Sequence, residues 1–278
     1  MMGRRMFMAA SAGLVLAPRA LAGEGSRLTY RGSLDQGGLV IGHVVPGAKV
    51  TVDERPVLVS AGGIFAFGLE YNRATPVNVQ AKFADGSAEV SAVTALARQY
   101  EVQSINGLPE ALVSPSAEDQ KRIERERALA VQARLRETDG VGFAEPFDWP
   151  TPGIISSLYG SQRVMNGKPR SPHLGIDIAA PGGTPIRAPA DGIVSLTDDF
   201  LLEGGVTLLD HGHGVSTAYL HQSKRQVAVG DKVSRGDVIG LVGKTGRATG
   251  PHVHWGLAWF QVKLDPSRST RTPEPPKA

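Results

Sequence analysis

Residues 172–194 read PHLGIDIAAPGGTPIRAPADGIV, and this stretch indicates the architecture of the C-terminal half of the chain. Its apolar runs at 176–179 and 192–196 are separated by Gly, Pro and Asp, which favour turns. Runs of the same kind follow at 206–209, 215–219, 238–242 and 253–258. None of them has a helical period, so residues 146–267 are predicted to form an antiparallel β domain.

The N-terminal half shows the alternation of apolar and polar positions that is typical of half-buried strands. Val50 and Val52 fall on one face of an extended backbone, and so do Phe65 and Phe67. Residues 23–110 are therefore predicted to form a small β-sandwich. Its only histidine is His43, so we expect it to space, dock or cover the second domain rather than to catalyse.

The linker between these domains, residues 111–145, is predicted to be helical. Ser116 is followed three residues later by Asp119, which is a variant of a helix-capping motif, and residues 117–138 are rich in Glu, Arg, Ala and Leu. Two interpretations remain open, a solvated linker helix that lies against one domain and a regulatory helix that covers an active cleft. The predicted fold class is all-β with a helical linker, followed by a disordered tail at 268–278.

The first 22 residues have the features of a signal peptide. Arg4 and Arg5 precede an apolar run at 6–17, which is too short to span a bilayer, and 20–22 form a small-x-small cleavage site. The paired arginines resemble a twin-arginine signal, with general secretion as the alternative. Removing Arg4, Arg5 and Arg19 takes the formal charge from +3 to zero, so the charge gives no argument for nucleic-acid binding.

Histidines are concentrated in the C-terminal half, where six of the seven lie between positions 173 and 254. The chain has no cysteine, so a transition-metal site must use histidine and carboxylate ligands. His173 and Asp177 are four apart, and His252 and His254 are two apart. In extended backbone each pair faces one side, so both of its side chains can reach one point.

Three ordered segments resemble the signatures of the lysostaphin/LytM-type zinc metallopeptidases, which cut bacterial peptidoglycan. The segments are HLGID at 173–177, YLH at 219–221 and GPHVH at 250–254. Their order and spacing match the family from about residue 153 to residue 262. In one departure, Trp255 is followed by Gly256, where many members of the family have Glu, and we expect altered local packing there.

The resemblance implies a site and a reaction. It implies that His173, Asp177 and His254 bind one Zn²⁺ per chain, and that His221 and His252 are the catalytic pair. It further implies a LytM-type peptidase domain that hydrolyses peptide cross-links of peptidoglycan through a zinc-activated water. Which of the two catalytic histidines is the base remains open.

Other residues near these motifs have weaker assignments. Arg163, Asn166 and Arg170 lie in a segment that flanks the predicted site, and they are candidates for substrate binding. His211 and His213 belong to a glycine-rich hairpin, which favours a turn or supporting role.

The expected partner is peptidoglycan, with no nucleic acid and no stable membrane span after signal cleavage. The expected location is outside the cytoplasm, in a Gram-negative periplasm. The alternative function is a zinc-retaining but weakly active wall-binding module that activates a partner amidase.

Overall fold

The computed structural model describes residues 25–107 and 114–277, so the predicted signal peptide lies outside the described residues. Seven strands build the N-terminal domain. They are β1 (Leu28–Gly32), β2 (Leu39–Val44), β3 (Lys49–Val52), β4 (Arg55–Val57), β5 (Ile64–Gly68), β6 (Val77–Lys82) and β7 (Ala88–Val93). These strands form two antiparallel sheets in the orders β1-β2-β5 and β4-β3-β6-β7, which agrees with the predicted β-sandwich.

Alternating side chains fill the core between these two sheets. In β6, Val77, Val79 and Ala81 are buried, whereas Asn78 and Lys82 are exposed. On the other sheet, Phe65 and Phe67 are fully buried, as the period of two predicts.

Beyond the sandwich, one short strand and one helix lead to the second domain. Strand β8 (Val102–Ile105) lies within the range predicted for the sandwich but pairs in parallel with β10 (Gln162–Met165), so it adds a strand beside a loop of the C-terminal domain. Helix α1 (Ala117–Arg134) begins after Ser116, whose Oγ accepts a hydrogen bond from the backbone N–H of Asp119 at 3.1 Å. The predicted cap is therefore confirmed. The helix ends before the expected Gly140, because the chain leaves helical hydrogen bonding after Leu135.

The C-terminal domain is built around a large, mainly antiparallel sheet in the order β18-β14-β15-β16-β20-β12-β9, with β21 added beside β20. Its strands are β9 (Ile154–Ser157), β12 (Ile176–Ala179), β14 (Gly192–Phe200), β15 (Gly204–Asp210), β16 (Val215–Gln222), β18 (Lys232–Val233), β20 (His252–Trp259) and β21 (Val262–Leu264). Shorter strands complete the domain, namely β10, β11 (Lys168–Pro169), β13 (Pro185–Arg187), β17 (Lys224–Arg225) and β19 (Val238–Leu241). Two 3₁₀ turns, Gly142–Ala144 and Pro266–Ser269, precede and follow this sheet.

The two faces of the large sheet have different neighbours. On one face, Tyr219, Val253 and Trp255 are fully buried in a hydrophobic core that continues into the sandwich. On the other face, Leu208 and Ala218 pack against Ala130 of α1. The helix therefore lies against the C-terminal domain and covers part of one sheet face.

The two domains are joined by polar contacts as well as by the shared core. Arg98 forms a 2.8 Å ion pair with Asp265, whose side chain is 2% exposed. The backbone N–H of Asp265 donates to the carbonyl oxygen of Gly37 in the sandwich at 2.8 Å. No helix in the described ranges is both long and apolar enough to cross a membrane.

The chain end differs from the predicted disordered tail. The N–H of Arg271 donates to the carbonyl of Phe147, and the N–H of Gly153 donates to that of Pro276. The indole N–H of Trp149 donates to the carbonyl of Thr272 at 3.0 Å. Backbone hydrogen bonds, rather than a row of apolar side chains, hold the tail against the domain. An apolar period is therefore not needed for its order, and its absence from the sequence does not predict disorder.

Replacing Arg98 with Met should destabilise the protein by about 3 kcal/mol, because the buried carboxylate of Asp265 would lose its cationic partner. Urea unfolding followed by tryptophan fluorescence measures this change. Arg27→Met is the matched control, since its ion pair with Asp85 is exposed to solvent and should contribute much less to stability. If both variants lost the same free energy of unfolding, the Arg98–Asp265 contact would contribute no more to stability than an exposed ion pair.

Candidate metal centre

The three predicted metal ligands converge on one point. Nε2 of His173 lies 2.8 Å from Nδ1 of His254 and 3.1 Å from Oδ1 of Asp177. Nδ1 of His254 lies 2.9 Å from the same carboxylate oxygen. Two imidazole nitrogens and one carboxylate oxygen, all within 4.8 Å of one another, form a donor set that fits zinc with a position left for water.

Strand register creates this convergence. Strands β12 and β20 are antiparallel neighbours, and Asp177 lies directly opposite His254 in their ladder. His173 precedes β12 and is held by backbone hydrogen bonds with Gly160 and Ser161. The three ligands, one from each of two strands and one from a loop, therefore meet without any distortion of the regular pairing of β12 with β20.

Supporting contacts orient the ligands from behind. Nδ1 of His173 lies 2.9 Å from Ser157 Oγ and 3.2 Å from the carbonyl of Leu158, so Nε2 is left to face the site. The guanidinium of Arg163 donates to the other carboxylate oxygen of Asp177 at 2.7 Å. Such contacts fix the orientation of metal ligands and tune their affinity.

The protonation states of the cluster suit a cation. Burial lowers the pKa of His254 to about 4, so its imidazole is neutral at pH 7. Burial would raise the pKa of Asp177, but hydrogen bonds from His173 and His254 hold it well below its usual range. The site therefore presents a carboxylate beside a neutral imidazole, as metal binding requires.

His221 and His252 form a second pair beside the ligands, with ring centroids 4.7 Å apart. Nδ1 of His221 lies 2.8 Å from the carbonyl of Thr245, and Nδ1 of His252 lies 2.9 Å from that of Gly250. Because a carbonyl only accepts, each Nδ1 carries the proton, and each Nε2 keeps a lone pair. Nε2 of His252 lies 3.9 Å from Oδ1 of Asp177, so this pair borders the ligand cluster.

The backbone at His221 differs from the expected regular strand. The sequence predicts that Tyr219 and His221 share a face, but Tyr219 is fully buried in the core whereas His221 lines the cleft with Leu220. His221 has a φ of +64°, and the pairing of β15 with β16 shifts register beside it. This bulge turns the imidazole to the cleft, and such a backbone conformation is uncommon outside glycine.

Gly175, inside the HLGID segment, allows the ligands to approach closely. A Cβ atom at this position would lie 2.5 Å from both Cε1 and Nε2 of His254. That distance is too short for a nonbonded contact, so any side chain here would displace the His254 ring. The glycine is therefore required by the metal centre and not by a turn.

The cleft around the ligands is rich in arginine. Arg163 and Arg170, predicted as substrate contacts, both line it, whereas Asn166 lies at the tip of the β10–β11 hairpin with a φ of +47°. Arg247 and Glu203 line the cleft as well, and sequence reasoning missed both. Nothing in the spacing of the sequence around them singles out these two side chains.

His211 and His213 lie at the β15–β16 turn, at the other end of β16 from His221. Nδ1 of His211 donates to the carbonyl of Asp191 at 2.7 Å, and its Nε2 pairs with Thr217 Oγ1 at 2.8 Å. His213 packs against Phe143. These contacts support the predicted turn role and separate both residues from the metal centre.

Comparison with known proteins gives a consistent result. Residues 171–266 match the model of peptidase family M23. The chain is 45% identical over 104 residues to the peptidoglycan DD-endopeptidase ShyA of Vibrio cholerae, which covers 37% of this chain and 24% of that protein. It is 48% identical over 83 residues to the DD-carboxypeptidase/endopeptidase Mpg of Neisseria meningitidis, which covers 30% and 19%. The chain thus spans about a quarter or less of the length of these two relatives.

A solved structure covers much more of the chain. The crystal structure of a peptidase M23 from Pseudomonas aeruginosa aligns with a TM-score of 0.66 and 32% sequence identity. The alignment covers 84% of this chain and 94% of the other. The likeness therefore extends beyond the C-terminal domain.

Replacing Gly175 with Ala should weaken zinc binding at least about tenfold, because the new methyl group would displace the His254 ring. Competition with a chromogenic chelator measures the dissociation constant. Gly182→Ala is the matched control, since a Cβ there meets nothing within 4 Å. Unchanged affinity in Gly175→Ala would show that the ring can move without loss.

Replacing Arg163 with Met should lower zinc affinity by about 10- to 100-fold, because Asp177 would lose the contact that orients its carboxylate. Arg163→Lys should recover part of the affinity, since lysine restores the charge but not the planar fork. The same chelator competition gives the values. Full affinity in the Met variant would assign Arg163 to substrate contact alone.

Proposed function

The chain belongs to peptidase family M23, and from this premise we propose that it is a zinc metalloendopeptidase that hydrolyses peptide cross-links of bacterial peptidoglycan. One observation supports this most directly. His173, Asp177 and His254 converge on one point, and two further histidines with free Nε2 lone pairs stand beside them. A purely structural metal site has no use for such a pair.

The ligand residues would hold zinc through Nε2 of His173, Nδ1 of His254 and Oδ1 of Asp177. When bound, zinc supplies Lewis-acid activation of a water molecule and of the scissile carbonyl. Arg163 keeps the Asp177 carboxylate in its orientation, and Ser157 keeps the His173 ring in its own. These residues bind and orient, and they exchange no proton with the substrate.

His221 and His252 are the groups that can move protons. Each has its Nδ1–H donated to a backbone carbonyl, so each can accept a proton at Nε2. One imidazole takes the proton of the attacking water and returns it to the leaving amine nitrogen. The other imidazole can donate a hydrogen bond to the developing oxyanion from Nε2, after it has taken up a proton there from solvent. The two ring centroids lie 4.7 Å apart and each ring has its Nε2 unoccupied by its carbonyl partner, so the geometry allows either ring to take either role.

The substrate proposal rests on the relatives and on the charge of the cleft. Two relatives are named for DD-endopeptidase or DD-carboxypeptidase/endopeptidase activity, so a D-alanyl cross-link to diaminopimelate is our first choice. A glycine-containing bridge is the second. Peptide stems bear carboxylates, and Arg163 and Arg170 in the cleft are suited to bind them, with Asn166 at the neighbouring hairpin tip.

The second candidate function is a zinc-retaining, weakly active module that activates a partner amidase. It is favoured by the position of α1, which covers part of the sheet face beside the ligands. The complete set of ligands and catalytic histidines favours catalysis instead. A peptidoglycan substrate also implies a location outside the cytoplasm, and we propose the periplasm.

We expect the zinc-loaded protein to release uncross-linked muropeptides from purified sacculi, identified by mass spectrometry. His221→Ala should keep zinc but lose at least about 100-fold in rate, because the proton-transfer group is removed. His254→Ala should lose both zinc and activity. Equal activity in the His221 variant and the parent would count against catalysis, and freed glycan without peptide products would indicate an amidase.

A further inference from the structure

A second cavity of about 340 Å³ lies between α1 and the open face of the large sheet. It adjoins the cleft that holds the metal ligands, and the two spaces share lining residues that include Arg127, Leu174 and His254. Its floor is made of small and aliphatic side chains, among them Leu208, Ala218 and Gly256. A peptide that reaches the metal centre can therefore extend into this cavity.

Two basic side chains face each other in the cavity from different elements. Arg134 comes from the last turn of α1, and Lys263 comes from β21. Neither forms an ion pair anywhere in the described ranges, and the guanidinium of Arg134 has only a 3.4 Å contact with the carbonyl of Ala130. These two enclosed basic groups outnumber Glu203, the one acidic side chain among the residues that line the cavity, so an anion that enters between them would be stabilised.

The side chains that line the cavity carry more basic than acidic groups, which favours an anionic ligand. Among the residues that line it, Arg127, Arg134 and Lys263 are basic, and Glu203 is the one carboxyl group. Burial raises the pKa of Glu203, and the charge of Glu203 offsets part of the effect of burial on the pKa of Arg134. Burial and the neighbouring Arg134 lower the pKa of Lys263 well below its usual value, and burial lowers that of Arg134 to about 10, so the empty cavity disfavours both charged forms and a bound carboxylate would favour them.

We propose that this cavity is a substrate subsite, in which Arg134 and Lys263 bind a carboxylate of the peptidoglycan stem peptide while the aliphatic floor receives an alanine methyl group. The proposal rests on the proposed function for the identity of the substrate. In this proposal α1 forms one wall of the binding groove and is more than a linker between the domains. The proposal also explains why the floor is made of small side chains, which leave room beneath the helix.

The shared chemistry is a carboxylate next to a short apolar group, and a stem peptide offers it at two places. One is the terminal carboxylate of N-acetyl-D-alanyl-D-alanine, and the other is the α-carboxylate of N-acetyl-L-alanyl-D-glutamate whose γ-carboxyl group is capped as a methylamide. Each probe has a neutral amide counterpart of nearly the same shape. Comparing each acid with its amide isolates the charge and shows which carboxylate the subsite prefers.

The experiment measures binding of both acid–amide pairs by isothermal titration to the full zinc-loaded chain. The chain also contains His221→Ala, which should slow turnover enough for binding to be measured, and mass spectrometry after the titration checks that the probes are intact. We expect at least one acid to bind about tenfold more tightly than its amide, as expected for a charge-assisted contact. In Arg134→Met and in Lys263→Met this preference should fall below about threefold, while amide binding stays unchanged.

Arg125→Met is the matched control, because Arg125 is an exposed arginine of the same helix that does not line the cavity. It should keep the full preference for the acid. The proposal is overturned if no acid is preferred, if the preference survives both variants, or if acid and amide lose affinity equally. Because binding is measured without hydrolysis, a failure here is distinguishable from a failure to release muropeptides.

Discussion

The register of β12 against β20 is the constraint on which the rest of the site depends. It places Asp177 directly opposite His254, so that a carboxylate and an imidazole from two strands meet at one point. A shift of one residue would turn one of them into the core, because neighbouring side chains of a strand point to opposite faces. The buried side chains of Val253 and Trp255 hold that register, since a shift would expose them to solvent and remove their packing from the hydrophobic core.

The ligand cluster depends on parts of the chain that are distant in sequence. Arg163, which contacts Asp177, lies on β10, and β10 pairs in parallel with β8, the strand that follows the sandwich. The sandwich is fixed to the same domain through a continuous core and the Arg98–Asp265 ion pair. The N-terminal half is therefore part of the framework that orients the metal centre. This connection gives a physical reason why the likeness to the Pseudomonas aeruginosa structure extends over 84% of the chain.

Helix α1 has two kinds of contact, and together they define its place. Ala130 and Ala133 pack on the sheet with Phe200 and Leu208, while Arg127 and Arg134 face the cavities beside His254. A helix that served only as a spacer would have little reason to place arginines inside. The sequence left open a solvated linker and a covering helix, and the structure combines features of both.

The sequence by itself determined the β character of both domains, the capped start of the helix and the five histidine and aspartate positions that gather at the metal centre. These depend on local period, turn residues and short motifs, which the sequence displays directly. Only the tertiary structure decided that the bulge at His221 turns its ring toward the cleft while Tyr219 stays in the core. It alone also decided that Gly175 makes room for His254, that Arg163 contacts Asp177, and that the chain end is held by backbone hydrogen bonds. Each of these outcomes depends on which distant segments become neighbours in the fold. The apolar period along the chain reports only local structure, so it does not predict such contacts.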